Sequence, residues 1–224
     1  MSGRLIAIGD IHGHSAALET ILEAVDPQSD DTLVALGDYV DRGPDTRGVI
    51  DRLIALAGQC RLVPILGNHD EMLLDIVAGR RELFGNWLSY GGSLTLASYD
   101  CVVPDDIPDE HLQFLENCAA YHESDGHFFV HASYIPNLPL EAQPGGVLRW
   151  ESLRARQPGP HYSGKVAICG HTAQEGGRIL DLGHLKCIDT YCYGDGCLTA
   201  MDVETGQLWQ ADKKGTLGGN DLTQ

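Results

Sequence analysis

The sequence predicts an α/β fold, and three observations carry the prediction. The first 80 residues form three successive units of short apolar strand, loop and amphipathic helix, an alternation that argues for parallel strands joined by right-handed crossovers. The last third is β-rich, with apolar runs separated by glycine and polar turns. Five strand endings place Asp, Asn, His or Arg on a loop, at the carboxyl edge where open α/β sheets bind their ligands.

Residues 4–8 form the first strand, which runs into Gly9-Asp10-Ile11-His12-Gly13. A helix follows, with Leu18, Ile21, Leu22 and Val25 at helical spacing, Ser15 as its cap, Glu19 completing a capping box and Pro27 as its stop. The apolar run 32–36, bounded by Asp30-Asp31 and Gly37, reads as a buried strand delivering Asp38, Tyr39, Val40, Asp41, Arg42 and Gly43. Pro44 opens a second helix through Val49, Ile50, Leu53, Ile54 and Leu56. A third strand over 62–66 ends in Gly67-Asn68-His69-Asp70, and its Pro64 marks an edge or a bulge. The third helix runs through 72–77.

Between 84 and 108 the periodicity weakens. Trp87, Tyr90, Gly91-Gly92 and Tyr99 there form a Gly-aromatic segment expected to cap the substrate side rather than enter the core. A helix over 110–119 leads to a strand over 127–130 that ends in His131-Ala132-Ser133. The stretch 134–146, with three prolines, reads as loop, and a strand over 165–169 ends in Gly170-His171-Thr172. Runs at 178–182, 185–189, 197–201 and 207–210 read as antiparallel strands, with Thr205-Gly206 as the last hairpin turn. The expected organisation is a single domain over 1–212 and a flexible Gly/polar tail over 213–224.

With 224 residues, 43% of them apolar, the chain can bury a full core. Its net charge of −17 repels phosphate backbones, which argues against a nucleic-acid partner. Any anionic substrate then needs local positive charge at its site. No signal-like start and no apolar run of about 18 residues is present, so a soluble cytoplasmic protein with no membrane partner is expected. Seven cysteines in no framework spacing point to free thiols in a reducing compartment. Cys187, Cys192 and Cys197, spaced by five, match no zinc pattern and read as buried thiols.

The strand ends together carry Asp10 and His12, Asp38, Asp41 and Arg42, Asn68 and His69, His131, and His171. Carboxylate, imidazole and amide oxygen suit two divalent metals sharing one bridging carboxylate, with Mn, Fe or Zn favoured over Mg alone. A metal pair roughly 3.5–4 Å apart can generate hydroxide near neutral pH and clamp an in-line phosphoryl displacement. That chemistry also needs an acid for the leaving group and a cation for the phosphoryl oxygens; His69 and Arg42 are available.

These motifs, in this order from residue 9 to 172, resemble the phosphoprotein phosphatases of the binuclear metallophosphoesterase superfamily, most of all the small bacterial and phage serine/threonine or dual-specificity enzymes. The similarity continues more weakly through Trp87…Gly91-Gly92 and Ile188-Asp189-Thr190. The resemblance implies a four-layer α/β/β/α sandwich with mixed sheets. It also implies a phosphorylated protein or peptide as substrate and two divalent transition-metal ions, manganese ahead of iron, zinc or nickel. Asp10 and His12 would bind the first metal, Asp38 would bridge, and Asn68, His131 and His171 would complete the second. His69 would be the general acid held by Asp41, and Arg42 would grip the phosphoryl group.

The chain also departs from that pattern. Ser152 stands where a second phosphate-binding arginine is usual, leaving Arg149 or Arg154 as replacements; Asp70 stands where glutamate is common, and Ala132-Ser133 replaces a frequent Gly-Gly. The alternative is a dinucleoside polyphosphate or other nucleotide phosphohydrolase. Tetraphosphatases resemble this chain but usually carry glutamine where His12 stands, and the cyclic-nucleotide diesterases read Gly-His-x-His where Ala173 follows Thr172 here. His14, Tyr191 and Cys192 are further candidates for the rim of the cleft.

Overall fold

The computed structural model describes residues 3–218. Two five-stranded mixed sheets form its centre. The first runs in the order β10 (Leu208–Asp212), β9 (Cys197–Asp202), β1 (Leu5–Ile8), β2 (Thr32–Ala35) and β3 (Arg61–Pro64). The second runs β4 (His122–Glu123), β5 (His127–Phe129), β6 (Val166–Cys169), β8 (Leu185–Cys187) and β7 (Leu180–Asp181). β1, β2 and β3 are parallel, Leu5 lying opposite Thr32 and Thr32 opposite Arg61.

Strand alternation divides the core into layers. Ile6 and Ile8 of β1, with Leu33 and Ala35 of β2, face Leu18, Ile21 and Leu22 of α1 (Ser15–Val25) and Val49, Ile50 and Leu53 of α2 (Thr46–Ala57). The intervening Ala7 and Val34 point the other way and meet Phe129 of β5, Ile168 of β6 and Ile188 between the sheets. On the far side, Phe128, Ala167 and Cys169 pack against Tyr134, Leu140 and Leu148. Three apolar layers separate four structural ones, the α/β/β/α sandwich of the sequence reading.

Several local expectations change. Ser15 is the first helical residue rather than a cap; its hydroxyl bonds Asp45 Oδ2 at 2.5 Å, and Glu19 pairs with Arg52. α2 starts at Thr46, two residues after the Pro44 expected to open it, and Asp45 caps it, accepting the Gly48 amide at 2.9 Å. Pro64 closes β3, at the edge of its sheet. Helix α3 (Asn68–Val77) begins on the motif itself, which puts Asn68 and His69 in its first turn.

Trp87, expected outside the core, is 0% exposed at the end of α4 (Phe84–Trp87), because Gly92 leaves room for its indole. Tyr99 is also buried, bonded to His111 in α6 (Asp109–Glu116) after the short α5 (Ser93–Ser98); Tyr90 alone of the three stays exposed. The proline-rich loop closes with a helix the sequence hides, α7 (Gly145–Trp150). β8 pairs parallel with β6, so the run after it is not wholly antiparallel. A flexible tail is expected from 213, yet Gly215 O accepts the Thr20 hydroxyl and the Gly218 amide donates to Gln210 O. Residues 219–224 of that expected tail lie outside the described ones.

No helix among the described residues is long and apolar enough to cross a membrane.

Candidate metal centre and active site

The carboxyl ends of both sheets meet, and that meeting builds the site. His131 Nδ1, after β5, donates to Leu36 O after β2 at 2.7 Å, and the His171 amide, after β6, donates to Asp10 Oδ2 after β1 at 2.9 Å. The loops turn through left-handed backbone at His12, Asp38, Asp41, Arg42 and His171. Asp and His tolerate this region better than most side chains; an arginine there carries strain that the surroundings must hold.

Asp38 is the hub. Its Oδ1 accepts the His69 amide at 3.0 Å and lies 3.4 Å from His131 Nε2, while Oδ2 lies 3.4 Å from His12 Nε2. Two donor sets share it: His12, Asp38 and His69, and Asp38, His131 and His171, the atoms of each set within 4.8 Å of one another. Asn68 Oδ1 sits 3.0 Å from His131 Nε2 and 2.9 Å from His171 Nδ1.

These residues fit divalent cations. His12 gives its Nδ1–H to Val40 O at 3.0 Å and His131 gives its own to Leu36 O, so both Nε2 lone pairs face inward. Burial favours the neutral form of the rings: it pulls His12 and His131 below the usual imidazole range and His171 down to about 4, the last aided by His131. Burial also opposes ionisation of Asp38, but the imidazoles of His131, His69, His12 and His171 outweigh it and hold its carboxyl well below the usual range. Asn68, Asp38, His131 and His171 thus turn acceptors toward one another, an arrangement that suits cations, while His12 Nε2 also has a protein donor in Arg42.

Asp10 stands apart from both sets. Its Oδ1 is buried with no hydrogen-bond partner among the described residues, an orphan acceptor that suits a cation. Burial, then Asp189 and Asp38, raises its carboxyl far above the ordinary range. Asp189, which the sequence reading named only within a motif, is buried beside it and pushed up by burial to about 6.

His69 and Asp41 are joined as expected, Nδ1 to Oδ2 at 2.7 Å. Burial works against the charged ring, yet Asp38 and Asp41 outweigh it and raise His69 above the usual value. Arg42 Nη1 donates to His12 Nε2 at 2.9 Å, and its Cζ sits 4.2 Å over the Tyr193 ring. Arg149 is bound to Glu71, and Arg154 to Ala173 O and Glu175. Of these three, Arg42 bonds a residue of the site directly, while Arg149 lies near enough to His131 to help lower its pKa.

Thr95 and Tyr193 escaped the sequence reading, which named Asp70 only as a departure from the family pattern. Thr95 of α5 gives its hydroxyl to Asp41 Oδ1 at 2.8 Å and accepts the Asp41 amide. Asp70 accepts amides of Asp38, Tyr39, Val40 and Gly67, clamping the Asp38 loop; burial and Asp38 push its carboxyl up to about 7 against that pull. Tyr193 meets His12 edge-on at 4.9 Å and Tyr191 at 4.7 Å. Only the Tyr191-Cys192 neighbourhood gave any hint of it in the sequence. His14 is buried, and its Nε2 has no hydrogen-bond partner among the described residues.

The layered fold and the convergent donors define a metallophosphoesterase. The chain belongs to the calcineurin-like phosphoesterase family, whose model matches residues 3–175, and whose members use divalent metal ions. Within it, the chain is 33% identical over 211 residues to the symmetrical bis(5'-nucleosyl)-tetraphosphatase of Janthinobacterium sp. strain Marseille, covering 89% of this chain and 70% of that one. It is 43% identical over 208 residues to the same-named protein of Ralstonia nicotianae, covering 89% and 67%.

A crystal structure assigned provisionally as a diadenosine tetraphosphatase superposes with TM-score 0.71 at 26% identity, over 98% of this chain and 96% of that one. A cold-active protein-tyrosine phosphatase of Shewanella reaches the same TM-score, 0.71, at 17% identity over 97% and 80%, a likeness of fold alone. The phosphoprotein substrate implied by the sequence resemblance is therefore corrected: the relatives with substantial identity are named for a dinucleoside tetraphosphate.

Proposed function

We propose that the chain hydrolyses dinucleoside tetraphosphates symmetrically. The observation that carries this reading is the 43% identity, over 208 residues, to a protein named for that reaction. Water adds to one of the two inner phosphorus atoms, the bond to the central bridging oxygen breaks, and two nucleoside diphosphates leave. Asp10, His12, Asp38, Asn68, His131 and His171 would hold two divalent ions, manganese the first choice, which when bound supply Lewis-acid charge and acidify the attacking water.

The protein's own groups do the rest. Arg42 binds non-bridging phosphate oxygens, and it must do so against a chain of net charge −17. His69 gives its Nε2 proton to the departing phosphate oxygen, and Asp41, bonded to Nδ1, fixes the ring's orientation. Thr95 and Asp70 keep Asp41 and Asp38 in place. All seven cysteines are free, which supports a cytoplasmic location.

The test is a comparison of kcat/KM for diadenosine tetraphosphate and a phosphoserine peptide with the manganese-loaded full chain. The reading requires the tetraphosphate to be the better substrate; a clear preference for the peptide would overturn it.

A further inference from the structure

Beside the phosphate site lies a groove of about 420 Å³, within the range of small-molecule sites. Glu71, Met72, Arg80, Asn86, Tyr90 and Trp150 line it. Tyr90 is 55% exposed and Trp150 44%, so two of the chain's few exposed large apolar side chains share one cavity. Exposed aromatics gathered in a groove mark a surface that something covers.

The groove adjoins the phosphate site on two sides. Tyr90 lies in the kinked turn Leu88–Gly92 between α4 and α5. The next residue, Gly91 at φ 116°, is pressed against Arg42: its carbonyl accepts the Arg42 amide, and a Cβ would come within 2.6 Å of that nitrogen. On the other wall, the Trp150 indole donates to Glu71 at 2.6 Å, and Glu71 is two residues beyond His69. A phosphate chain held by Arg42 thus has an aromatic-walled space next to it, with the Asn86 amide able to donate and accept at a base edge.

We propose that this groove is a nucleobase slot, in which Tyr90 and Trp150 present ring faces to one base of the substrate while its phosphates lie at Arg42. The assignment rests on the tetraphosphatase reading for its substrate. It adds a binding subsite to that reading and says which side chains recognise the nucleoside. Base–aromatic stacking tolerates any base, so the slot selects nucleotides over plain polyphosphates rather than one base over another.

The test is calorimetric binding of ADP and of inorganic pyrophosphate to the manganese-loaded full chain, for wild type, Tyr90→Leu and Tyr90→Phe. Wild type should bind ADP about tenfold more tightly than pyrophosphate, the order expected of one base–aromatic stack. Tyr90→Leu should erase most of that advantage and leave pyrophosphate affinity unchanged, whereas Tyr90→Phe should keep it. Equal affinities in wild type, no binding of either, or an advantage indifferent to Tyr90→Leu would overturn the slot. The two readings separate: a Tyr90-dependent ADP advantage in a chain that leaves diadenosine tetraphosphate intact keeps the slot and removes the activity. Efficient cleavage with a KM unmoved by Tyr90→Leu does the reverse.

Discussion

His69 Nδ1 lies 2.7 Å from Asp41 Oδ2, with both side chains buried, and the same imidazole falls within the donor set formed with His12 and Asp38. One ring could therefore give a proton or bind a cation, and the two roles predict different outcomes. As general acid, His69→Asn should lower kcat by about 10²-fold with metal content unchanged, the low end of the usual range. The low end is expected because a departing phosphate oxygen resembles a phosphomonoester, whose second pKa is about 6. Elemental analysis showing loss of metal from His69→Asn would make it a ligand instead.

Thr95 is expected to act through Asp41. Thr95→Val leaves a buried carboxylate oxygen without its hydroxyl donor, which costs about 1–3 kcal/mol. Thermal denaturation should show a lowered Tm, and kcat should fall with KM nearly constant. Thr95→Ser keeps the hydroxyl and should restore both. An unchanged Tm in Thr95→Val would remove this support from the account.

Asp70→Ala strands the amides of Gly67, Asp38, Tyr39 and Val40 next to the metal loop. With each of the four buried orphans costing about 1–3 kcal/mol, the loss should reach about 4 kcal/mol or more and bring weaker metal retention. Denaturant melts before and after chelation would separate the two effects. Asp70→Asn, which keeps one acceptor, should fall between wild type and alanine.

Tyr193→Leu removes the ring under Arg42. A cation–π contact of this kind is worth about 0.5–2 kcal/mol, so KM for the tetraphosphate should rise about 2- to 30-fold while Tyr193→Phe stays near wild type. A tyrosine that only fills space would instead lower stability and leave KM unmoved.

The strand ends were legible because a buried β-strand announces itself as an apolar run, and whatever follows it lies at the sheet edge. That reading places Asp10, Asp38, Asn68, His131 and His171 at strand ends; Asp38, His131 and His171 fall in one donor set with Asn68 against it, while Asp10 stands apart and meets the His171 amide. Thr95 and Tyr193 were not legible: they reach the site through α5 and a loop whose course depends on packing, and neither residue type signals ligation. Trp87 was misplaced because its burial depends on the missing side chain of Gly92. α7 was hidden by the prolines before it, although Pro144 only precedes its first turn.

The substrate class was misread for a related reason. His12 pointed toward phosphoprotein phosphatases, but a lone pair there serves a cation whatever the substrate. What distinguishes substrates must lie around the centre, in residues such as Tyr90, Trp150 and Tyr193. Charge sets a constraint that holds for either substrate, since a chain of net charge −17 needs local positive charge to hold any phosphate.

The central claim is symmetrical cleavage, and product analysis tests it most directly. The manganese-loaded full chain is given diadenosine tetraphosphate in ¹⁸O-water and the products are separated by chromatography with mass detection. The account predicts ADP as the sole nucleotide product, half of its molecules carrying one ¹⁸O, because a single water oxygen enters one of two identical products. AMP with ATP, or release of inorganic phosphate, would contradict it.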